Sequence, residues 1–198
     1  VNLALDLASD DGDGSADTLI NVENLTGSGF DDTLTGDGQD NRLDGDDGDD
    51  VLKGGAGQDT LVGGQGNNTA DYSSASANVR VNLTAGQASQ DGDGSTDTLQ
   101  QIQNVTGSVY DDTLVGDADD NRLSGGSGND TLSGRAGEDS LDGGAGADTA
   151  DYSLAADGIN ADLASNVTTD DGDGSTDTLL DIENVTGSAG DDIISGDA

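Results

Sequence analysis

Apolar residues recur every nine positions in two long blocks of the chain, each as the middle residue of a three-residue run between Gly-rich segments. With Gly27 as position 1 of the first nonapeptide, the apolar residue is position 8. The position 8 side chains are Leu34, Leu43, Leu52, Leu61 and Ala70, then Leu114, Leu123, Leu132, Leu141 and Ala150, with Ile194 opening a third block. Because side chains alternate along a strand, position 8 points inward and positions 7 and 9 point outward. Each nonapeptide is therefore predicted to form a very short strand that is stable only when it stacks on other copies.

A longer period of 80 residues is superimposed on the nine-residue period. Residues 11–19 recur as 91–99 and again as 171–179. Five nonapeptides fill 45 residues of each unit and leave a spacer of 35. The predicted division is a partial spacer over 1–26, a block over 27–71, a spacer over 72–106, a block over 107–151, a spacer over 152–186 and the start of a third block over 187–198. We expect the chain to be a segment of a longer array.

The charge of the chain changes this picture, because the predicted strands bury little apolar surface. There are 42 acidic residues against 5 basic ones, and only Glu23, Glu138 and Glu183 are Glu. Leu, Ile, Val and Phe make up 37 of 198 residues, which with this much charge is typical of disorder. Carboxylates stacked about 5 Å apart repel one another, so an external counter-charge must be part of the structure. Short Asp side chains in Gly-rich turns suit calcium, and multiple Ca²⁺ ions are the predicted cofactor.

Missing residue types and net charge exclude several classes of function. The sequence has no Cys and no His, which excludes disulfides, the usual zinc sites and histidine general bases. The net charge of −37 disfavours nucleic acid and anionic lipid as partners. We expect no membrane insertion and no signal peptide, since the apolar runs are only a few residues long. Aspartate pairs that could serve glycoside hydrolysis are numerous, but nothing singles one out, so we expect no catalytic site.

Position 6 of each nonapeptide is Asp or Asn and carries a family resemblance. Residues 54–62, 125–133 and 143–151 fit the pattern Gly-Gly-x-Gly-x-Asp-x-apolar-x, and the sequence resembles the repeats-in-toxin (RTX) family of hemolysin-type calcium-binding repeats. The resemblance implies an all-β fold, a right-handed parallel β-roll or β-solenoid with two nonapeptides per coil. It also implies calcium between adjacent turns on each edge, held by position 6 side chains and turn carbonyls. The implied metal ligands are Asp32, Asn41, Asp50, Asp59, Asp112, Asn121, Asp130, Asp139, Asp148 and Asp192, with Asp17, Asp97 and Asp177 in spacer segments that fit the same template.

The same resemblance implies which ligands pair across an ion, because turns on one edge are two nonapeptides apart. The expected pairs are Asp32 with Asp50, Asn41 with Asp59, Asp112 with Asp130, Asn121 with Asp139, and Asp130 with Asp148. Asn41, Asn68 and Asn121 depart from the pattern. An Asn supplies a carbonyl oxygen but no charge, so we expect weaker sites or the ends of rows there.

The spacers leave two interpretations open. Residues 92–100 fit the nonapeptide template and residues 79–83 alternate as a strand does, which favours a roll that continues through the spacers as irregular coils. The alternative is compact modules joined by flexible linkers. The Asp-x-Asp-Gly segment at residues 11–14 and its copies fail the EF-hand pattern, because with Gly14 at loop position 6, Ser9 falls at position 1 and Ile20 at position 12. Those aspartates are either further calcium ligands or solvated turn residues.

Two other interpretations of the polar residues are weaker. Charge that serves only solubility or salt adaptation explains the sign of the net charge, but not why Asp recurs every nine residues. Thr33 and Thr35 flank Leu34 as in an ice-binding strand, but the neighbouring strands of the blocks lack this pair of threonines.

The predicted function is structural. We expect an extracellular stalk, scaffold or filament segment of a large secreted bacterial protein such as an adhesin, which folds when it meets calcium outside the cell. The expected partners are calcium ions, neighbouring repeats of the same chain and laterally associated copies. The resemblance implies export by type I secretion. The alternative is a non-catalytic calcium-binding module of a secreted protease, lipase or polysaccharide-modifying enzyme, and the regular 80-residue period favours the stalk.

Overall fold

The computed structural model describes residues 1–9 and 15–197, so the first Asp-x-Asp-Gly segment, at 11–14, lies outside the described residues. Within these ranges the structure has 3₁₀-helices at Leu3–Leu5 and Leu163–Ser165 and no α-helix. No helix in the described part has the length and hydrophobicity needed to span a bilayer. The strands are β1 (Leu7–Ala8), β2 (Asp17–Thr18), β3 (Asn24–Thr26), β4 (Thr33–Thr35), β5 (Arg42–Asp44), β6 (Val51–Lys53), β7 (Thr60–Val62), β8 (Thr69–Asp71), β9 (Arg80–Asn82), β10 (Gln87–Gln90), β11 (Asp97–Gln100), β12 (Asn104–Thr106), β13 (Thr113–Val115), β14 (Arg122–Ser127), β15 (Thr131–Ser133), β16 (Ser140–Ala145), β17 (Thr149–Asp151), β18 (Asn160–Asp162), β19 (Val167–Asp170), β20 (Asp177–Leu180), β21 (Asn184–Thr186) and β22 (Ile193–Ser195).

Two ten-stranded sheets contain all of these strands except β1 and β2, which pair with each other. Sheet I has the order β3-β5-β7-β11-β10-β9-β13-β15-β17-β21, and sheet II has the order β4-β6-β8-β12-β14-β16-β20-β19-β18-β22. Within the blocks the chain alternates between the sheets. Each strand therefore pairs in parallel with the strand two nonapeptides away, as Leu43 of β5 does with Leu61 of β7. The all-β, parallel β-roll fold predicted from the sequence is confirmed.

The core is a ladder of position 8 side chains between the two sheets. The ten Leu and Ala residues at this position in the two blocks are each 0% exposed, whereas Ile194, close to the end of the described chain, is 44% exposed. One buried aliphatic side chain contributes about 1.5–3 kcal/mol. Ordering a single residue costs about 1–2 kcal/mol of backbone entropy, and each nonapeptide orders nine. The apolar ladder therefore needs help from contacts in the turns.

Each of the two complete spacers forms a three-stranded antiparallel meander inserted into one sheet. In sheet I, β9 pairs in parallel with β13, β11 pairs in parallel with β7, and β10 lies antiparallel between them. In sheet II, β18, β19 and β20 occupy the equivalent place between β22 and β16. Both spacers thus belong to the same sheets as the blocks. Hairpins join their strands, in place of the irregular coils that we predicted. Alternation alone could not predict this, because it does not reveal that the middle strand runs backwards.

The odd number of nonapeptides in a unit decides which sheet receives each meander. The first strand of a block, β4, lies in sheet II, and the strand that follows its five nonapeptides, β9, lies in sheet I. Equivalent strands of successive units therefore alternate between the sheets. The Asn-x-Thr strands β3 and β21 lie in sheet I, and their equivalent β12 lies in sheet II. Equivalent turns of successive units therefore lie on opposite edges of the roll.

Candidate metal sites

The position 6 side chains form a row along each edge of the two sheets. In each row the backbone N–H of one residue donates to Oδ1 of the residue one coil further on, as Asp32 does to Asp50 at 2.8 Å. The same contact joins Asn41 to Asp59, Asp112 to Asp130, Asn121 to Asp139 and Asp130 to Asp148. The five predicted pairs are therefore neighbours in the structure, 18 residues apart along the chain.

Position 5 forms a second ladder that we did not predict. Here the N–H of the later coil donates to the side chain of the earlier one, as Asp49 does to Oδ1 of Asp31 at 2.9 Å. Equivalent bonds run from Gln58 to Asp40, Asn67 to Asp49, Asn129 to Asp111 and Glu138 to Asp120. The two ladders run in opposite directions and tie neighbouring coils together. The position 5 ladder could have been predicted from the sequence, because a polar side chain precedes position 6 in all but one of the ten nonapeptides.

Five position 6 carboxylates retain a buried oxygen that has no hydrogen-bond partner. These are the Oδ2 atoms of Asp50, Asp59, Asp130, Asp139 and Asp148. In each of these turns, position 2 has a positive φ, whether it is Gly, as at Gly55, or not, as at Asp46 and Arg135. Where position 2 lacks a positive φ, its N–H donates to the position 6 side chain, as Ser28 does to Asp32 at 2.6 Å. An unpaired buried carboxylate oxygen is costly, so these five positions call for a cation.

A glycine at position 1 leaves space beside these oxygens. A Cβ atom on Gly45 would overlap both Oδ2 of Asp50 and the carbonyl oxygen of Gly63 in the next coil. A Cβ atom on Gly134 would overlap Oδ2 of Asp139. At Gly45 a carboxylate oxygen and a carbonyl oxygen therefore converge on a gap that any side chain at position 1 would fill. Charged and neutral oxygen donors in a turn are the ligands that calcium takes in proteins.

The sequence matches the model of the RTX calcium-binding nonapeptide repeat over residues 22–52, 35–70, 106–141, 116–150, 125–157 and 177–198, which together make up more than half of the chain. The chain belongs to the RTX calcium-binding nonapeptide repeat family. No curated protein matches the chain. RTX repeats bind calcium, so multiple calcium ions are the cofactor that fits the gaps beside the unpartnered Oδ2 atoms. Which residues hold each ion stays a prediction.

Three of the predicted RTX ligands already accept hydrogen bonds from position 2 of their own turn. Ser28 donates from both N and Oγ to Oδ2 of Asp32, at 2.6 and 2.9 Å. Asp112 accepts the N–H of Ser108 at Oδ2 and the Ser108 hydroxyl at Oδ1, and Asp192 accepts the Ser188 hydroxyl at 2.8 Å. Each of these turns opens a block. The structure therefore distinguishes the predicted ligands that have a buried oxygen without a partner from those that accept hydrogen bonds from position 2.

The three asparagines lie at row ends, next to a spacer. Asn41 and Asn121 are the first residues of their rows within a block, and each donates from Nδ2 to a carbonyl oxygen one coil earlier, Glu23 at 3.1 Å and Gln103 at 3.0 Å respectively. Oδ1 of each of these two accepts the N–H of position 2 in its own turn. Asn68 ends its row and donates in the opposite direction, into the spacer. The amide thus supplies a hydrogen where a carboxylate would need a cation.

The spacer aspartates differ from those of the blocks. Asp97 continues a row, since its Oδ1 accepts the N–H of Asp59 at 2.9 Å. Its Oδ2, however, accepts a hydrogen bond from the buried phenol of Tyr72 at 3.0 Å. Asp177 and Tyr152 repeat this pair at 2.7 Å. Asp17 lies in β2 and is exposed.

The electrostatics of the rows favour bound cations. Burial is the main cause that raises the pKa of Asp59 to about 6 and those of Asp130 and Asp139 to about 7, and nearby carboxylates add to it. The three ion pairs found among the described residues, Arg42–Asp44, Lys53–Asp71 and Arg122–Asp142, use the Asp at position 9 and do not reach the rows. In the part of the chain that the structure describes, no group of three or more acidic side chains could hold a metal ion. Calcium takes about six to eight oxygen ligands, so backbone carbonyls, amide oxygens or water would have to complete each coordination shell.

Proposed function

We propose that the chain is a calcium-dependent structural segment of a large secreted bacterial protein, and that it serves as an extracellular stalk, scaffold or filament. The observation that carries the proposal is the recurrence of one buried, unpartnered carboxylate oxygen at position 6 of five turns. Burial of the position 8 side chains does not stabilise the coils enough, so their stability depends on a cation that neutralises these oxygens. We assign the chain no reaction.

Calcium would drive folding by linkage, because the oxygen cage exists only when neighbouring coils are stacked. Each site adds RT ln(1 + [Ca²⁺]/Kd), about 1.4 kcal/mol when calcium is ten times Kd. Five such sites add about 7 kcal/mol, which equals the whole stability of many domains. Extracellular calcium modules have Kd values of about 10⁻⁴ to 10⁻³ M. The chain would therefore stay unfolded inside the cell, ready for type I export, and fold outside.

The topology supports a stalk over a single module attached to an enzyme. Every 80-residue unit adds strands to the ends of sheets I and II, at about 4.8 Å per strand, so further units lengthen the same two sheets. The meanders pair with the blocks on both sides, which leaves no break between units. Lateral association of such arrays stays a prediction.

Far-UV circular dichroism of the 198-residue chain in chelator, in calcium and in magnesium tests the proposal. We expect a disordered spectrum in chelator and a cooperative gain of β signal in calcium. Magnesium at equal ionic strength should produce little gain of β signal, because its octahedral geometry suits these sites poorly. A β-rich spectrum that persists in chelator, or an equal response to both ions, would contradict the proposal.

A further inference from the structure

Each of the two complete spacers contains one buried aspartate that the nonapeptide pattern does not explain. Asp91, in the turn between β10 and β11, is 2% exposed, and Asp171, in the turn between β19 and β20, is 0% exposed. Oδ1 of Asp91 accepts three N–H groups of its own turn, from Asp93, Gly94 and Ser95, at 3.0 to 3.2 Å. Oδ1 of Asp171 likewise accepts the N–H groups of Asp173 and Ser175 in its own turn. The Oδ2 atom of each is buried and has no hydrogen-bond partner.

The spacer turn lies against the last turn of the block on the same edge. The N–H of Gly57 in the block donates to Oδ2 of Asp93 in the spacer at 3.0 Å. Beside this contact is a cavity of about 180 Å³ whose lining includes Gly55, Tyr72 and Asp91 but not Asp59. The turn of the spacer is thus fixed to the block by a hydrogen bond, and Asp91 borders open space next to it.

Asp59 lies next to this spacer segment, because its N–H donates to Oδ1 of Asp97 and its carbonyl accepts the N–H of Thr98, both at 2.9 Å. Burial raises the pKa of Asp59, and among the nearby charges that of Asp91 adds most to the rise. Both carboxylates also raise the pKa of the buried Tyr72 phenol. Tyr72 donates its proton to Oδ2 of Asp97, so this third carboxylate is satisfied within the chain. Asp59 and Asp91 are left with one buried oxygen each and no donor for either.

The next unit repeats the pair of unpartnered oxygens on the opposite edge of the roll. They are the Oδ2 atoms of Asp139 and Asp171. Burial raises the pKa of Asp139, and the charges of Asp177 and Asp171 add to the rise. Tyr152 donates to Oδ2 of Asp177 at 2.7 Å, so Asp177 is not one of the carboxylates with an unpartnered oxygen. Since the neighbouring strands belong to the other sheet, the arrangement follows from the local sequence of the spacer and does not depend on one accidental packing.

We propose that each complete spacer supplies a ligand to one calcium site of the rows, in which the carboxylates of Asp59 and Asp91, and in the next unit those of Asp139 and Asp171, bind one ion. The inference rests on the proposed calcium-dependent folding. Two carboxylates neutralise a divalent cation, and none of the ion pairs among the described residues reaches these four. The ion fastens the spacer turn to the last coil of the block. Calcium binding therefore couples each block to the unit that follows.

The test is the number of calcium ions bound per folded chain, measured by equilibrium dialysis for the unsubstituted chain and for the double variant Asp91→Asn/Asp171→Asn. Asn keeps Oδ1 as acceptor for the turn and replaces only the unpartnered oxygen, so the turns should persist. We expect the double variant to bind two ions fewer. The control, Asp119→Asn, neutralises an exposed carboxylate outside positions 5 and 6 and should lose no ion.

An unchanged number of ions in the double variant would overturn the spacer sites while leaving calcium-dependent folding intact. An unsubstituted chain that does not respond to calcium would overturn the proposed function instead. If the double variant fails to fold, crystals of the unsubstituted chain grown with calcium decide the matter. Anomalous density within about 2.6 Å of both Asp59 and Asp91 supports the site, and its absence contradicts it.

Discussion

Asn68 donates from Nδ2 to the carbonyl oxygen of Gln101 at 3.3 Å, and so joins the last coil of the first block to the spacer. Its Oδ1 accepts the N–H of Asp50 at 3.0 Å. One coil earlier, Asp50 makes the same Oδ1 contact with Asp32, but its Oδ2 faces the carbonyl of Gly63 with no hydrogen between them. The amide of Asn68 therefore closes the gap that at Asp50 calls for an ion.

Replacing Asn68 by Asp should create an additional calcium site. In Asn68→Asp the new oxygen loses the bond to Gln101 and becomes a buried carboxylate without a partner, which destabilises the metal-free fold by about 1–3 kcal/mol. We expect one more bound calcium ion in equilibrium dialysis and a greater dependence of the β signal on calcium.

The matched control for this gain is Asn129→Asp, which adds the same charge at an exposed position 5 residue. Oδ1 of Asn129 accepts the N–H of Ala147 at 3.0 Å, and an Asp keeps that bond while it loses the 3.5 Å contact from Nδ2 to Oδ1 of Asp111. This control should bind no additional ion. If both variants gain calcium equally, net charge and not the position of the oxygen determines binding.

Filling the space at position 1 should remove a calcium site. Gly134 has no positive φ, so Ala is conformationally allowed there, but its Cβ would overlap Oδ2 of Asp139 and lie 2.6 and 2.8 Å from its Cγ and Cβ. We expect Gly134→Ala to cost about 1–3 kcal/mol and to raise the calcium concentration at the midpoint of folding. In Gly38→Ala the new Cβ has no atom within 4 Å, so the midpoint should not move. Equal midpoints for the two variants would contradict the proposed position of the ion.

Acid should partly replace calcium in the metal-free chain. The buried carboxyl groups have folded-state pKa values of about 6 for Asp59 and about 7 for Asp130 and Asp139, above the 3.8 of an unperturbed Asp. A group with a raised folded-state pKa destabilises the fold fully above that pKa, and the penalty is relieved as pH falls from about 7 towards 3.8. Asp71 and Asp93, whose pKa values are lowered, act in the opposite direction only near and below 3.8.

Circular dichroism without added metal, between pH 8 and 4, measures this effect. The β signal should rise as the pH falls, with most of the gain complete above pH 4. In the presence of calcium, protons compete for the same oxygens, so the calcium midpoint should move to higher concentration over the same range. A β signal that only decreases on acidification would contradict the raised pKa values.

The sequence was sufficient to predict the coil and the rows but not the spacer. Positions 6 and 8 repeat without gaps, so the pairing of Asp32 with Asp50 and the burial of Leu43 could be read from spacing. The backward strand β10 has no such repeat, since its direction depends on the turn at Asp91. Nor could spacing show that Tyr72 donates to Oδ2 of Asp97, because Tyr72 follows a strand of sheet II and Asp97 lies in a strand of sheet I.

The division between partnered and unpartnered carboxylates was also beyond prediction from the sequence. It depends on the sign of φ at position 2, and non-Gly residues such as Asp46 and Arg135 adopt positive φ there while Asp37 and Ser28 do not. Residue type alone therefore does not distinguish the turns that leave an oxygen free.

The central claim is that calcium folds the chain through specific oxygens and not by screening its charge. A calcium titration followed by circular dichroism tests it on two fivefold variants that lose the same charge. One replaces the unpartnered residues Asp50, Asp59, Asp130, Asp139 and Asp148 by Asn. The other replaces the exposed position 5 residues Asp31, Asp40, Asp49, Asp111 and Asp120 by Asn, which keeps their hydrogen bonds to the next coil.

The first variant should lose most of the cooperative response to calcium, because five of the charged position 6 ligands become neutral amides. The second should fold with calcium as the unsubstituted chain does. If the two variants respond alike, the position 6 oxygens are not the calcium ligands.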